Sequence, residues 1–212
     1  MPYIDFPTEL NKRTVNFEAL ADLVIENPTL LNRLFEGLKV KNAKVKFGSM
    51  KILRILAEKQ PTILYSEFDR LVQLMDGDNS ILKWGATLCI ADLAIIDMEG
   101  KIDSILDHYL APITGPAMIT AANVIKGAGS IAQAKPRSAE KIMNAFFRVE
   151  KATYQTTECR NVAIGHTIDS FDQFYRCLTD PKPVLEFVQR HVNNPRKAVQ
   201  NKAKRFLSQK TA

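Results

Sequence analysis

The stretch MDGDNSILKWGATLCIADLA, at positions 75–94, decides the fold. It joins a polar turn to a run in which apolar residues recur every three or four positions. Only Lys83 and Asp92 are charged within that run. This spacing is typical of an α-helix, and a helix that is apolar on nearly all sides is covered by neighbours on most of them. The stretch therefore predicts a turn followed by a buried helix over residues 81–96.

Copies of this helix recur along the chain. VKFGSMKILRILA at 45–57 matches LKWGATLCIADLA at 82–94 in its order of aliphatic, Lys, aromatic, Gly and small residues. A looser copy is CRNVAIGHTIDSF at 159–171, and weaker ones are AMITAANVIKGAG at 117–129 and VQNKAKRFL at 199–207. Successive copies start 37, 35, 42 and 40 residues apart. A period near 40 with two helices per period predicts an array of stacked helix pairs.

The remaining sequence fits an all-α fold. Apolar residues keep a three- or four-residue spacing almost throughout, and Pro, Gly, Asn and Asp interrupt it at short intervals. The 212 residues are 46% hydrophobic and 25% charged, which argues against collagen, low-complexity disorder and a disulfide-rich mini-domain. We expect a short N-terminal segment over residues 1–14 and a single repeat domain over residues 15–212.

Residues 15–210 resemble tandem HEAT-like repeats, and armadillo-like geometry stays open as an alternative. The resemblance implies a right-handed α-solenoid of about five HEAT-like helix pairs. HEAT repeats place an Asp in the turn and a Val-Arg pair at the start of the second helix. Asp76 or Asp78 matches that Asp here, and Leu82-Lys83 matches the pair. The basic position recurs in two other copies, as Lys46 and Arg160. In the remaining two copies it is lost, and Met118 and Gln200 stand there.

The positive charge is concentrated in two parts of the sequence. The net charge is +6, of which residues 181–212 carry +7. A second basic group lies between Lys39 and Arg54, with no acidic residue inside it. Such groups either cover solvated helix faces or form binding surfaces. The C-terminal basic patch, as a binding candidate, consists of Arg196, Lys197, Lys202, Lys204 and Arg205.

The candidate binding residues lie at or near the repeated basic position. They are Lys46, Phe47, Lys51, Arg54, Lys83, Trp84 and Arg160. Two interpretations stay open for them. The aromatic residues belong either to the core between repeats or to the wall of a groove, where aromatic and basic residues form binding hot spots. Lys46, Lys83 and Arg160 either pair with the turn Asp, as the resemblance implies, or face the groove.

No catalytic, cofactor or metal site is predicted. The fragment Gly127-Ala128-Gly129-Ser130 follows no strand, so we interpret it as close helix packing and not as a phosphate loop. His166 has Asp169 three residues later but no paired nucleophile. The three cysteines form no CxxC pair and suit a reducing compartment. No signal peptide or membrane-length apolar run is seen, so we expect a cytoplasmic protein without a membrane partner.

These features predict a non-enzymatic scaffold that binds a protein segment on its concave face. The segment should be acidic if the repeated basic positions face the groove. The alternative is a nucleic-acid-binding HEAT-like protein that resembles the alkylpurine DNA glycosylases. A third possibility is a regulatory subunit or scaffold that acts only within an assembly. The sequence leaves the oligomeric state open, and whether DNA or RNA would be bound.

Overall fold

The computed structural model describes residues 5–210, and all regular secondary structure within them is helical. The predicted all-α class is confirmed. By its internal contacts the chain divides into two compact units, Met1–Asp97 (unit 1) and Met98–Ala212 (unit 2). Within the described residues, no helix is both long enough and apolar enough to cross a membrane.

Unit 1 contains seven α-helices and unit 2 contains six within the part of the chain that the structure describes. Those of unit 1 are α1 (Phe6–Asn11), α2 (Phe17–Glu26), α3 (Leu31–Gly37), α4 (Ala43–Lys59), α5 (Pro61–Tyr65), α6 (Phe68–Asp76) and α7 (Ser80–Asp92). Those of unit 2 are α8 (Lys101–Leu110), α9 (Met118–Ala134), α10 (Ala139–Phe147), α11 (Thr157–Phe174), α12 (Lys182–Arg190) and α13 (Lys197–Lys210). Short 3₁₀ turns flank several of them, at Pro28–Leu30, Leu93–Ile96, Ala111–Thr114, Pro136–Ser138, Arg148–Lys151 and Tyr175–Cys177.

The five sequence copies fall in α4, α7, α9, α11 and α13, which are the longest helices of the described chain. In each, the first helical hydrogen bond runs to a carbonyl four residues back. The acceptors are the carbonyls of Asn42, Asn79, Ala117, Thr156 and Arg196. These positions are 37, 38, 39 and 40 residues apart, a more regular series than the sequence comparison suggests. The copy at 117–129 therefore begins three residues later than the sequence comparison suggests. The residue equivalent to Lys46 in this copy is Ala121, not Met118.

Polar caps explain where three of these helices begin. The side chain of Asn42 accepts from the Lys44 amide at 2.9 Å, and that of Asn79 from the Leu82 amide at 3.2 Å. Thr156 caps α11 in the same way. Such caps satisfy amides that have no partner inside the helix. Asp78 lies in the turn between α6 and α7, while the cap of α7 is Asn79.

Unit 1 is built around α4, which packs against α2, α3 and α7. Two glycines allow the closest approaches. A Cβ atom at Gly48 would lie 2.8 Å from Leu10 Cδ2, and one at Gly85 would collide with the side chain of Met50. Any larger residue would displace these neighbours, because helix cores are already close-packed. Gly48 and Gly85 therefore allow α4 to pack closely against its neighbours.

Unit 2 is built around α11, which packs against α9 on one side and α13 on the other. A Cβ atom at Gly129 would lie 3.1 Å from Ser170 Cβ, and one at Gly165 would lie 3.2 Å from Val199 Cγ2. The glycine-containing fragment of residues 127–130 is thus a packing surface inside α9, as predicted. Beyond α11, ring contacts with centroids 5.4–5.9 Å apart join Phe146, Phe171, Phe174 and Phe187.

Polar contacts between neighbouring layers follow the same period. Hydrogen bonds join residues 37 positions apart at Lys59–Asp22, 38 apart at Arg70–Asn32 and 40 apart at Arg190–Glu150. Each links a helix to its counterpart in the next layer. The sequence period near 40 is therefore visible in the contacts inside each unit.

The substitution Gly115→Ala should destabilise the protein by about 1–3 kcal/mol. Gly115 has φ +110°, and a Cβ atom there would lie 2.9 Å from the carbonyl oxygen of Thr153. Urea unfolding followed by circular dichroism measures the loss. Gly77→Ala is the control, since Gly77 has φ −65° and its Cβ would make ordinary contacts. Equal effects of the two substitutions would contradict the prediction.

Candidate functional site

Lys46 and Lys83 occupy equivalent positions in the neighbouring helices α4 and α7. Both are partly buried. Across residues 5–210, neither side chain makes an ion pair or a hydrogen bond. The pairing with a turn Asp that the resemblance implies is therefore not made. An unpaired cation at this depth can bind an external anion without first breaking an internal contact.

Apolar groups accompany the two lysines. Phe47 and Trp84 follow them directly, and both are partly exposed, outside the buried core. Ile81 lies one helical turn before Trp84 and is 46% exposed. Lys46, Phe47, Ile81, Lys83 and Trp84 are called the α4–α7 surface below. It combines two cations with two aromatic rings and an exposed aliphatic group.

Lys51 and Arg54 lie farther along α4 and make contacts between helices. The Lys51 ammonium lies 4.1 Å from the centroid of the Phe17 ring on α2. Arg54 donates to Asp92 on α7 and pairs with Glu58 at 2.7 Å. The Arg54 side chain is only 19% exposed, so both ion pairs are partly shielded from water. The structure thus places these two predicted binding residues in the packing of unit 1.

Cys89 lies beside the Arg54 pair and is fully buried. Burial raises the pKa of its thiol to about 12, although the positive charge of Arg54 opposes this change. The thiol therefore stays protonated at neutral pH and is a poor nucleophile. Within the described residues, no group of three or more His, Cys, Asp or Glu side chains is arranged to hold a metal ion.

Arg160 has the equivalent position in α11 of unit 2 but a different environment. Its Nε donates to the carbonyl of Ala152 at 3.0 Å, which fixes the chain before α11. Nearby, the Tyr154 hydroxyl donates to the carbonyl of Ile113. Burial raises the pKa of Tyr154 to about 12, against the opposing charge of Arg160. Arg160 therefore acts in local structure, unlike the two lysines of unit 1.

Three of the five residues of the C-terminal basic patch pair with two acidic residues of α11. Arg196 pairs with Glu158, and Lys202 pairs with Asp169. Arg205 Nη2 lies 3.5 Å from the second oxygen of Asp169. Two residues of the patch remain outside these ion pairs: Lys197, which contacts Gln200 at 3.4 Å, and Lys204, which is exposed. Part of the positive charge at the C-terminal end of the sequence thus joins α13 and the residue before it to α11.

His166 makes no hydrogen bond to Asp169 among the described residues, and that carboxylate accepts from Lys202. The ring is partly buried in α11 and has no hydrogen-bond partner among the described residues. His191 differs, since its Nε2 lies 3.1 Å from Glu150 Oε1 and its ring packs on Phe187.

No protein-family model and no curated protein sequence matches this chain. Six chains of solved structures do match. One belongs to the crystal structure of an engineered protein, a target of the Northeast Structural Genomics Consortium. It is 14% identical, with a TM-score of 0.51, and the match covers 96% of this chain and 94% of that one. At this identity the likeness concerns the fold alone.

Two features of the candidate site were missed in the sequence. Ile81 was counted with the buried helix, although its place in the first turn of α7 leaves it exposed. The caps Asn42 and Asn79 stand four residues before Lys46 and Lys83, and that spacing is readable as a helix-start signal. An alignment on the two caps alone identifies Lys46 and Lys83 as equivalent positions.

Lys202→Gln should lower the free energy of unfolding by about 0.5–1 kcal/mol, because it removes the partly buried pair with Asp169. Lys204→Gln, which changes the charge equally on the same helix, should have an effect below about 0.5 kcal/mol. Urea midpoints compare the two variants. If Lys204→Gln were the more harmful, the ion pair would not be joining α13 to α11.

The protein should lose stability as the pH falls below about 6.5. Burial lowers the pKa of both His166 and His191, so the unfolded chain takes up protons before the folded one does. Acidification through this range therefore favours unfolding. Urea midpoints at pH 7.5 and 5.5 measure the effect. His166→Gln and His191→Gln should each reduce the difference between them, and an unchanged difference in both variants would contradict the prediction.

Proposed function

We propose that this protein is a non-enzymatic helical-repeat scaffold whose α4–α7 surface binds an acidic, partly apolar protein segment. The single observation that carries the proposal is the state of Lys46 and Lys83. By contrast, Arg54 and Lys202, which also lie on long helices, are neutralised by carboxylates of a neighbouring helix. The equivalent lysines of α4 and α7 have no such partner within residues 5–210.

The apolar groups of the surface favour a protein segment over a nucleic acid. Ile81 offers an aliphatic contact that phosphates and sugars do not use, and Phe47 and Trp84 offer aromatic contact area. Aromatic residues beside cations are typical of protein-binding hot spots. In the C-terminal basic patch, Glu158 and Asp169 also offset two of the five positive charges that would attract a nucleic-acid backbone.

The scaffold that we propose is one right-handed α-solenoid of about five HEAT-like helix pairs. The series of helix starts 37–40 residues apart supports it, as do the contacts between successive long helices inside each unit. Repeat proteins of this class bind extended segments on concave surfaces. The α4–α7 surface would then be part of the concave face, in a cytoplasmic protein that acts through binding.

The test uses Trp84, the only tryptophan, as the reporter. Peptides rich in Asp, Glu, Leu and Phe are selected against the full chain from a displayed library and then titrated one by one. We expect binding to change the Trp84 emission. The double variant Lys46→Glu/Lys83→Glu should weaken the binding of the same peptides by about tenfold or more, or about 1.4 kcal/mol.

The matched control is Lys182→Glu/Lys197→Glu, which changes the net charge equally at exposed positions of unit 2. This variant should bind the peptides within about twofold of wild type. Equal weakening by both double variants would contradict the proposal, since the effect would then be one of net charge. A DNA duplex that binds more tightly than the peptides, with a steep salt dependence, would instead favour the nucleic-acid alternative.

A further inference from the structure

Unit 2 brings three basic side chains together where α9, α11 and α13 pack side by side. Lys126 lies on α9, His166 on α11 and Lys202 on α13. The Ser170 hydroxyl of α11 donates to the carbonyl of Ile125 at 3.1 Å, one turn from His166 and beside Lys126. On the other side, Lys202 Nζ donates to the carbonyl of Gly165 at 3.3 Å. His166 is thus flanked by one lysine from each neighbouring helix.

Two of these three side chains have unused hydrogen-bonding capacity. Lys126 is exposed and His166 is partly buried, and neither has a partner in the part of the chain that the structure describes. Lys202 shares the carboxylate of Asp169 with Arg205. Lys126 therefore differs from Arg196, Lys202 and Arg205, which pair with carboxylates of α11.

The charges around His166 are positive in sum. Lys126, Lys202 and Arg205 contribute cations, and Asp169 contributes the one carboxylate that acts directly on the ring. Farther along α13, Lys210 and Asp172 neutralise each other at 2.7 Å. The α10 side of α11 presents aromatic rings, with Phe146 packed on Phe171 at 5.4 Å. An oxyanion at His166 would therefore meet two net positive charges, or three once the imidazole is protonated.

We propose that Lys126, His166 and Lys202 form a binding site for a phosphate monoester group. A monoester carries nearly two negative charges at neutral pH and three strong acceptor oxygens. Lys126 supplies an ammonium group with all of its donors unused, and a protonated His166 supplies a ring N–H. The ammonium group of Lys202 can keep its contact with Asp169 and still attract the negatively charged ligand. A dianion matches the net charge of the site better than a single phosphodiester does.

Binding at this site is coupled to proton uptake. Burial lowers the pKa of His166, and the neighbouring Lys202 and Lys126 lower it further, while Asp169 opposes them. A bound dianion offsets the repulsion from the lysines and stabilises the imidazolium. The pKa of His166 then rises in the complex, and the affinity for the anion increases as the pH falls. A surface made of lysines alone would show no such change in anion affinity between pH 5.5 and pH 8.

The experiment follows the His166 ring by NMR on the full chain, with its signal assigned by His166→Gln. Sulfate is the first probe because it stays a dianion across this pH range, and sodium chloride keeps the ionic strength constant. We expect saturating sulfate to raise the pKa of His166 by about one unit and sulfate to bind about tenfold more tightly at pH 5.5 than at pH 8. Lys126→Gln should weaken binding several-fold, whereas Lys182→Gln, at an exposed site of the same unit, should not.

A pKa of His166 that sulfate leaves unchanged would overturn the proposal, as would equal weakening by Lys126→Gln and Lys182→Gln. The source of the phosphate group is distinguished at pH 7 by two further probes. A phosphoserine peptide that binds more tightly than inorganic phosphate assigns the site to a phosphorylated protein, and equal affinities assign it to free phosphate. The α4–α7 surface lies in unit 1, so the outcome is independent of the test of peptide binding there.

Discussion

The structure depends on the close approach of the long helices to one another inside each unit. In unit 1, Gly85 lets α7 lie directly against Met50 of α4, and in unit 2, Gly165 lets α13 lie against α11. These contacts cover apolar faces that a single helix pair cannot bury. Once the helices are this close, the charged side chains beside each crossing must pair across it, turn outward or remain partly buried without a partner.

The three outcomes separate structural from functional charge. Arg54 and Lys202 pair across a crossing and stabilise it. Lys204 turns outward into water. Lys46 and Lys83 stay partly buried and have no partner within residues 5–210. The proposals place ligands at these two lysines, and also where the exposed Lys126 lies beside His166 and the paired Lys202. Net charge along the sequence could not make this distinction, because it counts paired and unpaired cations alike.

The architecture was largely predictable and the site only in part. The all-α class and the packing role of Gly48 and Gly85 follow from short-range patterns, which local physics controls. The role of Arg54 was not predictable, because it depends on Asp92, which lies in another helix 38 positions away. The start of the repeat at residues 117–129 was not predictable either, for a related reason. Ala117 begins α9 without a polar side chain, so the sequence carries no cap signal there.

The caps of α4, α7 and α11 have a consequence for how this chain tolerates change. The intervals between helix starts drift from 37 to 40 residues, yet each of these three caps stands four residues before its basic side chain. A four-residue step is close to one helical turn, so the cap fixes the angular position of the basic residue regardless of the loop that precedes it. Insertions and deletions between helices can therefore accumulate without rotating Lys46 or Lys83. The surface is encoded locally, one helix start at a time.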